Sequence, residues 1–252
     1  YGRGVPPKSD GRLWGFADLL RAVNTVDGIA RIRFTTSHPR DFSDEMIEAT
    51  ASCDKVCEHF HLPLQAGSDR VLKMMNRGYT SRRYLDLLGR IRQAIPGASI
   101  TTDIMVGFPG ETEADFQATL DAVQEARFDA AFTFIYSPRE GTRAASMPDQ
   151  VPEDVKRDRI YRLIELVNTT AENVNESLRG RVVEVMVDGP SERDPSTLAG
   201  RTRTNKMVHW RQGGQGGALA PGDLVMVRVL EPRTWTLHGE AAGVPREAGR
   251  VD

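Results

Sequence analysis

The chain has 252 residues, 39% of them hydrophobic, with 33 Lys and Arg against 35 Asp and Glu. That is enough to bury one large domain or two unequal ones, and the near-balance of charge gives no global basic field, so any nucleic-acid site must be local. No apolar run nears the roughly 20 residues that span a bilayer, no leader pattern opens the chain, and Cys53 and Cys57 are too few for a disulfide framework; a cytoplasmic location is expected.

Residues 1–11 read as a Gly- and Pro-rich loop. A helix follows, with Phe16, Leu19, Leu20 and Val23 at helical spacing, and Ile29 to Thr35 alternates like a strand that ends in Thr36-Ser37-His38-Pro39. Ser43 caps a helix carrying Met46, Ile47 and Ala51. His59 to Leu64 is apolar enough for a buried strand, and Gln65-Ala66-Gly67 turns it into a helix capped by Ser68, with Val71, Leu72 and Met75 facing inward. Thr80 starts the next helix, and Pro96-Gly97 stops it. Ser99 to Val106 is a strand leading into GFPGET, where Thr112 and Asp115 have capping-box spacing, and Ala130 to Tyr136 is a strand leading into SPREGT.

Strands beginning near residues 29, 59, 99 and 130, with helices between them, predict parallel βαβ units. Four strands do not close a barrel. The chain opens on Tyr1 and on a helix that would follow a strand, so a piece of a longer protein is expected. An open sheet would also leave an edge and an apolar face exposed, which predicts poor solubility in isolation.

After Pro152 a long amphipathic helix runs to Arg179, and Gly180 stops it. Five short β-type runs follow in about sixty residues, which predicts a small barrel of the oligonucleotide-binding kind. Gly213 to Gly217 reads as a flexible hairpin connection and the stretch after Ala242 as an unstructured tail.

Chemistry is expected where parallel strands end, because the loops there vary while strands and helices hold the frame. Thr35 to His38, Gln65 to Ser68, Asp103 with Gly107 to Thr112, and Tyr136 to Arg139 could together hydrogen-bond a sugar and an amino-acid moiety. Each loop alone is explained by turns and caps, but four on successive units favour a site. Cys53 and Cys57 with His59 and His61 suit zinc by residue type, yet a helix end and a strand face would have to converge, so no metal site is expected. In the second half, Arg201, Arg203, Asn205, Lys206, His209, Trp210 and Arg211 supply cations, rings and an amide without an acid, as a single-stranded RNA site requires; the plainer alternative is a solvated hairpin whose Trp caps the core.

Five stretches in order, RIRFTTSHPRDF, HLPLQAGSDRVLKMMNRGYT, TDIMVGFPGET, FTFIYSPREGT and GRTRTNKMVHW, resemble the radical S-adenosylmethionine methylthiotransferases from about Ile29 to Gly239. The resemblance implies an α/β fold: a partial radical SAM, TIM-like β/α barrel at 1–150, a connecting helix at 151–180, a TRAM (oligonucleotide-binding-like) β-barrel at 181–242 and a tail at 243–252. It implies a reaction in which a methylthio group is placed on C2 of an isopentenylated adenosine in the anticodon stem-loop of tRNA. The cofactors implied are S-adenosylmethionine and two 4Fe–4S clusters, with an electron donor to reduce them, and a monomer when full length.

The family's amino-terminal cluster domain and its CxxxCxxC loop are missing from this sequence, and Ala66 stands where the family pattern HLPLQSGS has Ser. Catalysis by this chain alone is therefore not expected. By position, Ser37, Gln65, Ser68, Asp103, Glu111 and Tyr136 are expected to line the S-adenosylmethionine side of the cleft. Competing readings are a non-catalytic RNA-binding protein, a sister enzyme acting on threonylcarbamoyladenosine tRNA or a ribosomal protein, and a barrel enzyme with a phosphate-bearing substrate. The last is disfavoured because the loops show no clustered Lys or Arg.

Overall fold

The computed structural model describes residues 11–35, 38–211 and 219–243. It forms two compact units, Tyr1–Val167 and Asn168–Asp252. The first contains α1 (Phe16–Asn24), α2 (Asp44–Ser52), β1 (His59–His61), α3 (Asp69–Met74), α4 (Ser81–Ala94), β2 (Ser99–Val106), α5 (Glu113–Ala126) and β3 (Ala130–Ile135). The strands pair in parallel in the order β1-β2-β3. Side-chain caps from Ser43, Ser68, Thr80 and Thr112 start α2, α3, α4 and α5, each hydroxyl accepting a backbone N–H that the first turn would otherwise leave unpaired.

Ile29 to Thr35 does not form the expected strand. Among the described residues of this stretch, the β-pairing is one isolated parallel bridge, Ile32 with Val56. The partner segment is the cause: it is a turn at Asp54 and Lys55 and bends again at Glu58, so only one extended residue faces Ile32. Among the described residues the sheet therefore has three strands where four were expected. β1 is also shorter than the apolar run His59 to Leu64, because Pro63 has no N–H to give to the ladder. Pairing continues around the proline: Leu62 N–H reaches the Thr101 carbonyl at 2.9 Å, and Leu64 N–H is taken by the Thr102 hydroxyl at 2.8 Å. Tyr84 donates to the Leu62 carbonyl at 2.7 Å, and Tyr79 donates to those of Pro63 and Leu64 at 2.9 and 3.1 Å. Burial pushes the Tyr79 hydroxyl pKa up to about 12, so it stays a donor.

The two faces of this sheet differ. Phe60, Leu62, Leu64, Ile100, Ile104 and Val106 are fully buried and pack with Leu72, Leu88, Ile91, Phe116 and Val123, each side chain contributing about 1.5–3 kcal/mol by burial. The opposite positions hold His59, His61, Thr101, Asp103 and, on β3, Phe132 and Phe134, which are 59% and 49% exposed. An amphipathic parallel strand of this kind presents its polar face to something other than a helix layer.

α6 (Glu153–Glu176) contains the division between the units, upstream of the change in sequence character at Gly180. In the second unit β4 (Val182–Pro190), β5 (Thr197–Thr202), β6 (Met207–Arg211), β7 (Leu224–Pro232) and β8 (Thr236–Gly243) close a barrel in the order β4-β5-β6-β8-β7. All pairs are antiparallel except β6 with β8. Closure leaves no free edge. Alternate residues fill the interior: Val185, Val187, Val208, Trp210, Val225, Val227, Val229 and Leu237. Gly239 is needed for closure, since a Cβ there would lie 2.1 Å from the Arg228 carbonyl oxygen. The Gly213 to Gly217 connection, Ser37 and the tail beyond residue 243 lie outside the described residues.

Candidate functional site

In the first unit a cleft of about 1050 Å³ opens at the carboxyl ends of the three strands. Gln65, Asp103 and Tyr136 line it, one from the end of each strand or the loop beyond. Gln65 holds a left-handed backbone, φ 69°, which costs a residue with a side chain about 1 kcal/mol or more. Two hydrogen bonds keep it there: its N–H donates to the Asp103 carbonyl at 2.8 Å and its carbonyl accepts from Met105 N–H at 2.9 Å.

Asp103 is braced by a chain of polar groups across the open sheet face. Its carboxylate lies 3.3 Å from His61 Nε2, His61 Nδ1 is 3.0 Å from the Thr101 hydroxyl, and that hydroxyl is 3.3 Å from His59 Nε2. The Thr101 hydroxyl, which can donate to one ring and accept from the other, links the two histidines. Tyr136 is different. Its ring packs edge-on against Phe108 at 5.3 Å and under Lys156 Nζ at 5.7 Å, but its buried hydroxyl has no partner. A ligand reaches this oxygen only if the side chains that cover it shift, and it would then gain the hydrogen bond it lacks.

Ser68 and Glu111 do not line the cleft. The Ser68 hydroxyl donates to Asp115 at 2.5 Å and accepts from Val71 N–H, joining the ends of two helices. Arg70 pairs with the same carboxylate, which also accepts from Thr112 N–H at 2.8 Å. Burial alone would raise the Asp115 pKa, but the bonds from Arg70, Ser68 and Thr112 outweigh it and hold the carboxyl well below its usual range. Glu111 accepts from Gly107 N–H at 2.7 Å and from Arg159 at 2.9 Å, fixing the GFPGET loop. Burial pushes its pKa up, with Gly107 and Arg159 offsetting part of the effect. Gly67 lets the Gln65 loop approach α5, since a Cβ would lie 2.3 Å from the Ala118 carbonyl oxygen.

The barrel has its own cleft, about 1170 Å³, on the faces of β6 and β8. His209, Trp210 and Arg211 line it; Arg201, Arg203, Asn205 and Lys206 do not. Trp210 is buried in the barrel core, with only its margin toward the cleft. Asn205, φ 64°, turns the hairpin between β5 and β6, and Arg201 lies 3.8 Å from Asp188. Sequence reading missed Arg193, Arg233, Trp235 and His238, which line the same cleft. Trp235 is half exposed, and the His238 ring stacks on that of His209. Only His238 had a local signal, its place in the alternation Thr234, Thr236, His238; Arg193, Arg233 and Trp235 had none.

The Radical SAM superfamily profile matches residues 11–123 and the TRAM domain profile residues 176–242. The chain therefore carries a region similar to the Radical SAM superfamily followed by a TRAM domain. Among curated relatives, it is 56% identical over 225 residues to a protein of Alkaliphilus oremlandii, covering 89% of this chain and 47% of that one. It is 54% identical to one of Moorella thermoacetica, covering 89% and 50%, and 50% identical to one of Syntrophomonas wolfei, covering 95% and 52%. All three are named tRNA-2-methylthio-N(6)-dimethylallyladenosine synthase. The chain spans about half the length of the curated relatives it matches. Among solved structures, coproporphyrinogen III oxidase of Escherichia coli, a radical SAM enzyme, aligns with a TM-score of 0.48 at 14% identity over 77% of this chain and 48% of that one.

Two cofactors that radical SAM enzymes use can be set against the residues present. Cys53 and Cys57 are buried, and among the described residues no three His, Cys, Asp or Glu come together to hold a metal. These residues do not fit an iron–sulfur cluster. The strand-end cleft fits S-adenosylmethionine better: an amide, a braced carboxylate and an orphaned hydroxyl stand beside the apolar surfaces of Met105 and Phe108.

Proposed function

We propose that this chain is the carboxyl-terminal half of a tRNA-2-methylthio-N6-dimethylallyladenosine synthase, which adds a methylthio group to C2 of N6-isopentenyladenosine beside the anticodon. The observation that carries the reading is the 50–56% identity to proteins of that name over about nine-tenths of this chain, running through both domains. The substrate is tRNA in the cytoplasm, presented as its anticodon stem-loop. The acting form is a monomer that draws electrons from a separate donor.

S-adenosylmethionine, when bound, supplies the methyl group and the one-electron chemistry that breaks the C–H bond. This chain's residues bind and orient it. Asp103, held by His61, accepts from hydroxyls of a sugar; Gln65 offers an amide that both donates and accepts; Tyr136 completes its hydrogen bonding on the ligand; Phe108 and Met105 exclude water. Ser68 and Glu111 act from behind, holding the loops that carry these groups. The barrel holds RNA through the Trp235 and His209 side with Arg193, Arg211 and Arg233.

Mass spectrometry of tRNA nucleosides tests the reading. Cells with the gene disrupted are expected to lose 2-methylthio-N6-isopentenyladenosine and accumulate N6-isopentenyladenosine. An unchanged nucleoside profile would overturn it.

A further inference from the structure

The strand-end cleft has a property that the sequence conceals. Lys73 and Arg77 lie at the end of α3 and just beyond it, while Arg139 and Arg143 lie in the connection after β3; all four line one cleft. More than sixty residues separate the two pairs in the chain, so no cluster is visible in the sequence. The expectation that the loops have no clustered cations is therefore corrected by the fold. Among the described residues Asp103 is the one carboxylate that lines the cleft with them, and it is engaged by His61.

Elsewhere in this unit several cations are matched: Arg70 pairs with Asp115, Arg90 with Asp44, Arg159 with Glu111 and Arg162 with Glu113. Among the described residues, none of the four at the cleft makes a salt bridge. The Arg77 Nε is moreover buried without an acceptor among the described residues, which costs the fold some stability. Four unpaired cations around one cleft repel one another, and a polyanion relieves that repulsion. Between them the walls are apolar, with Met105, Phe108 and Phe134 offering surface on which a flat base can lie.

We infer that Lys73, Arg77, Arg139 and Arg143 form a collar that grips the RNA backbone phosphates flanking the base that enters the cleft. The inference rests on the proposed tRNA reading and deepens it: RNA is held at the reaction cleft as well as by the barrel. Four cations in two pairs exceed what the single carboxylate of S-adenosylmethionine requires, whereas a strand presents one phosphate per nucleotide.

The test is equilibrium binding of a labelled RNA stem-loop with adenosine in its loop to the protein, followed by fluorescence anisotropy over a range of KCl concentrations. It compares wild type, Lys73→Gln with Arg77→Gln, and Arg139→Gln with Arg143→Gln. Each double variant is expected to weaken binding about tenfold near physiological salt and to lower the slope of log affinity against log salt by about 1 to 1.5. Arg139→Lys with Arg143→Lys should keep the wild-type slope, and an unchanged thermal melt shows that each variant is folded. Wild-type slopes in both Gln variants would overturn the collar while leaving the tRNA reading intact. So would weakened binding of S-adenosylmethionine alone with RNA binding unchanged, which would assign the cations to the cofactor's carboxylate. Failure of the wild-type protein to bind the stem-loop would overturn both.

Discussion

His209 and His238 occupy one register position of the two parallel barrel strands, their rings stacked with centroids 5.2 Å apart and planes within 27°. Burial lowers the pKa of each, and the Arg233 guanidinium lowers both further. The pair is therefore neutral in the fold over a range where an unfolded chain, with imidazole pKa about 6.5, is already taking up protons. A lowered folded pKa means that barrel stability falls as pH drops from above about 6.5 through the folded values, and levels off below them. His238→Gln should flatten that dependence in a thermal melt against pH. A variant with the wild-type slope would show that the pair does not govern it.

Trp235 stands half exposed beside this pair, against the same cleft as Arg193, Arg211 and Arg233. A base stacked on an aromatic ring contributes about 1–3 kcal/mol. Trp235→Ala should therefore weaken stem-loop binding by one to two orders of magnitude while leaving the melting temperature nearly unchanged. Equal affinity of the two proteins by anisotropy would remove Trp235 from the interface.

Asp115 ties α3 to α5 through Ser68, Arg70 and its own helix cap. Replacing it by Ala strands these donors and should cost about 3 kcal/mol, readable as a lower urea midpoint. Because its folded pKa is depressed, the stability it contributes is present above the ordinary carboxylate pKa and is lost as pH falls through the folded value. Acid titration of the first unit's stability should show this loss in the wild type and not in Asp115→Asn.

Gly67→Ala brings a methyl group to 2.3 Å from the Ala118 carbonyl oxygen and 2.5 Å from the Thr119 Cα, both backbone. Neither can rotate away, so the Gln65 loop must lift off α5. The expected cost is about 1–3 kcal/mol, together with weaker S-adenosylmethionine binding because Gln65 moves with the loop. A variant that melts with the wild type would show that the loop accommodates the methyl.

Much of this was legible in the sequence. Helix starts at Ser43, Ser68, Thr80 and Thr112 were readable because an N-cap is a local device, decided by residues three apart. The five barrel strands were readable from alternation and turns. Ile29 to Thr35 was not, because a strand needs a partner and the alternating pattern says nothing about the turn opposite it. Ser68 and Glu111 looked like cleft residues because they sit in cleft loops, yet their side chains turn inward to Asp115 and Arg159. The Lys73, Arg77, Arg139 and Arg143 cluster, and the meeting of His209 with His238, arise from distant segments and appear only once the fold brings them together.

Tyr136→Phe tests the assignment of the strand-end cleft most directly, because it deletes one buried oxygen that has no partner among the described residues. Loss of an unsatisfied hydroxyl leaves the stability of the free protein unchanged or raises it by about 1 kcal/mol. Calorimetric titration of S-adenosylmethionine into wild type and variant should show affinity about tenfold weaker in the variant with no loss of melting temperature. Equal affinities would contradict the placement of S-adenosylmethionine against Tyr136 in this cleft.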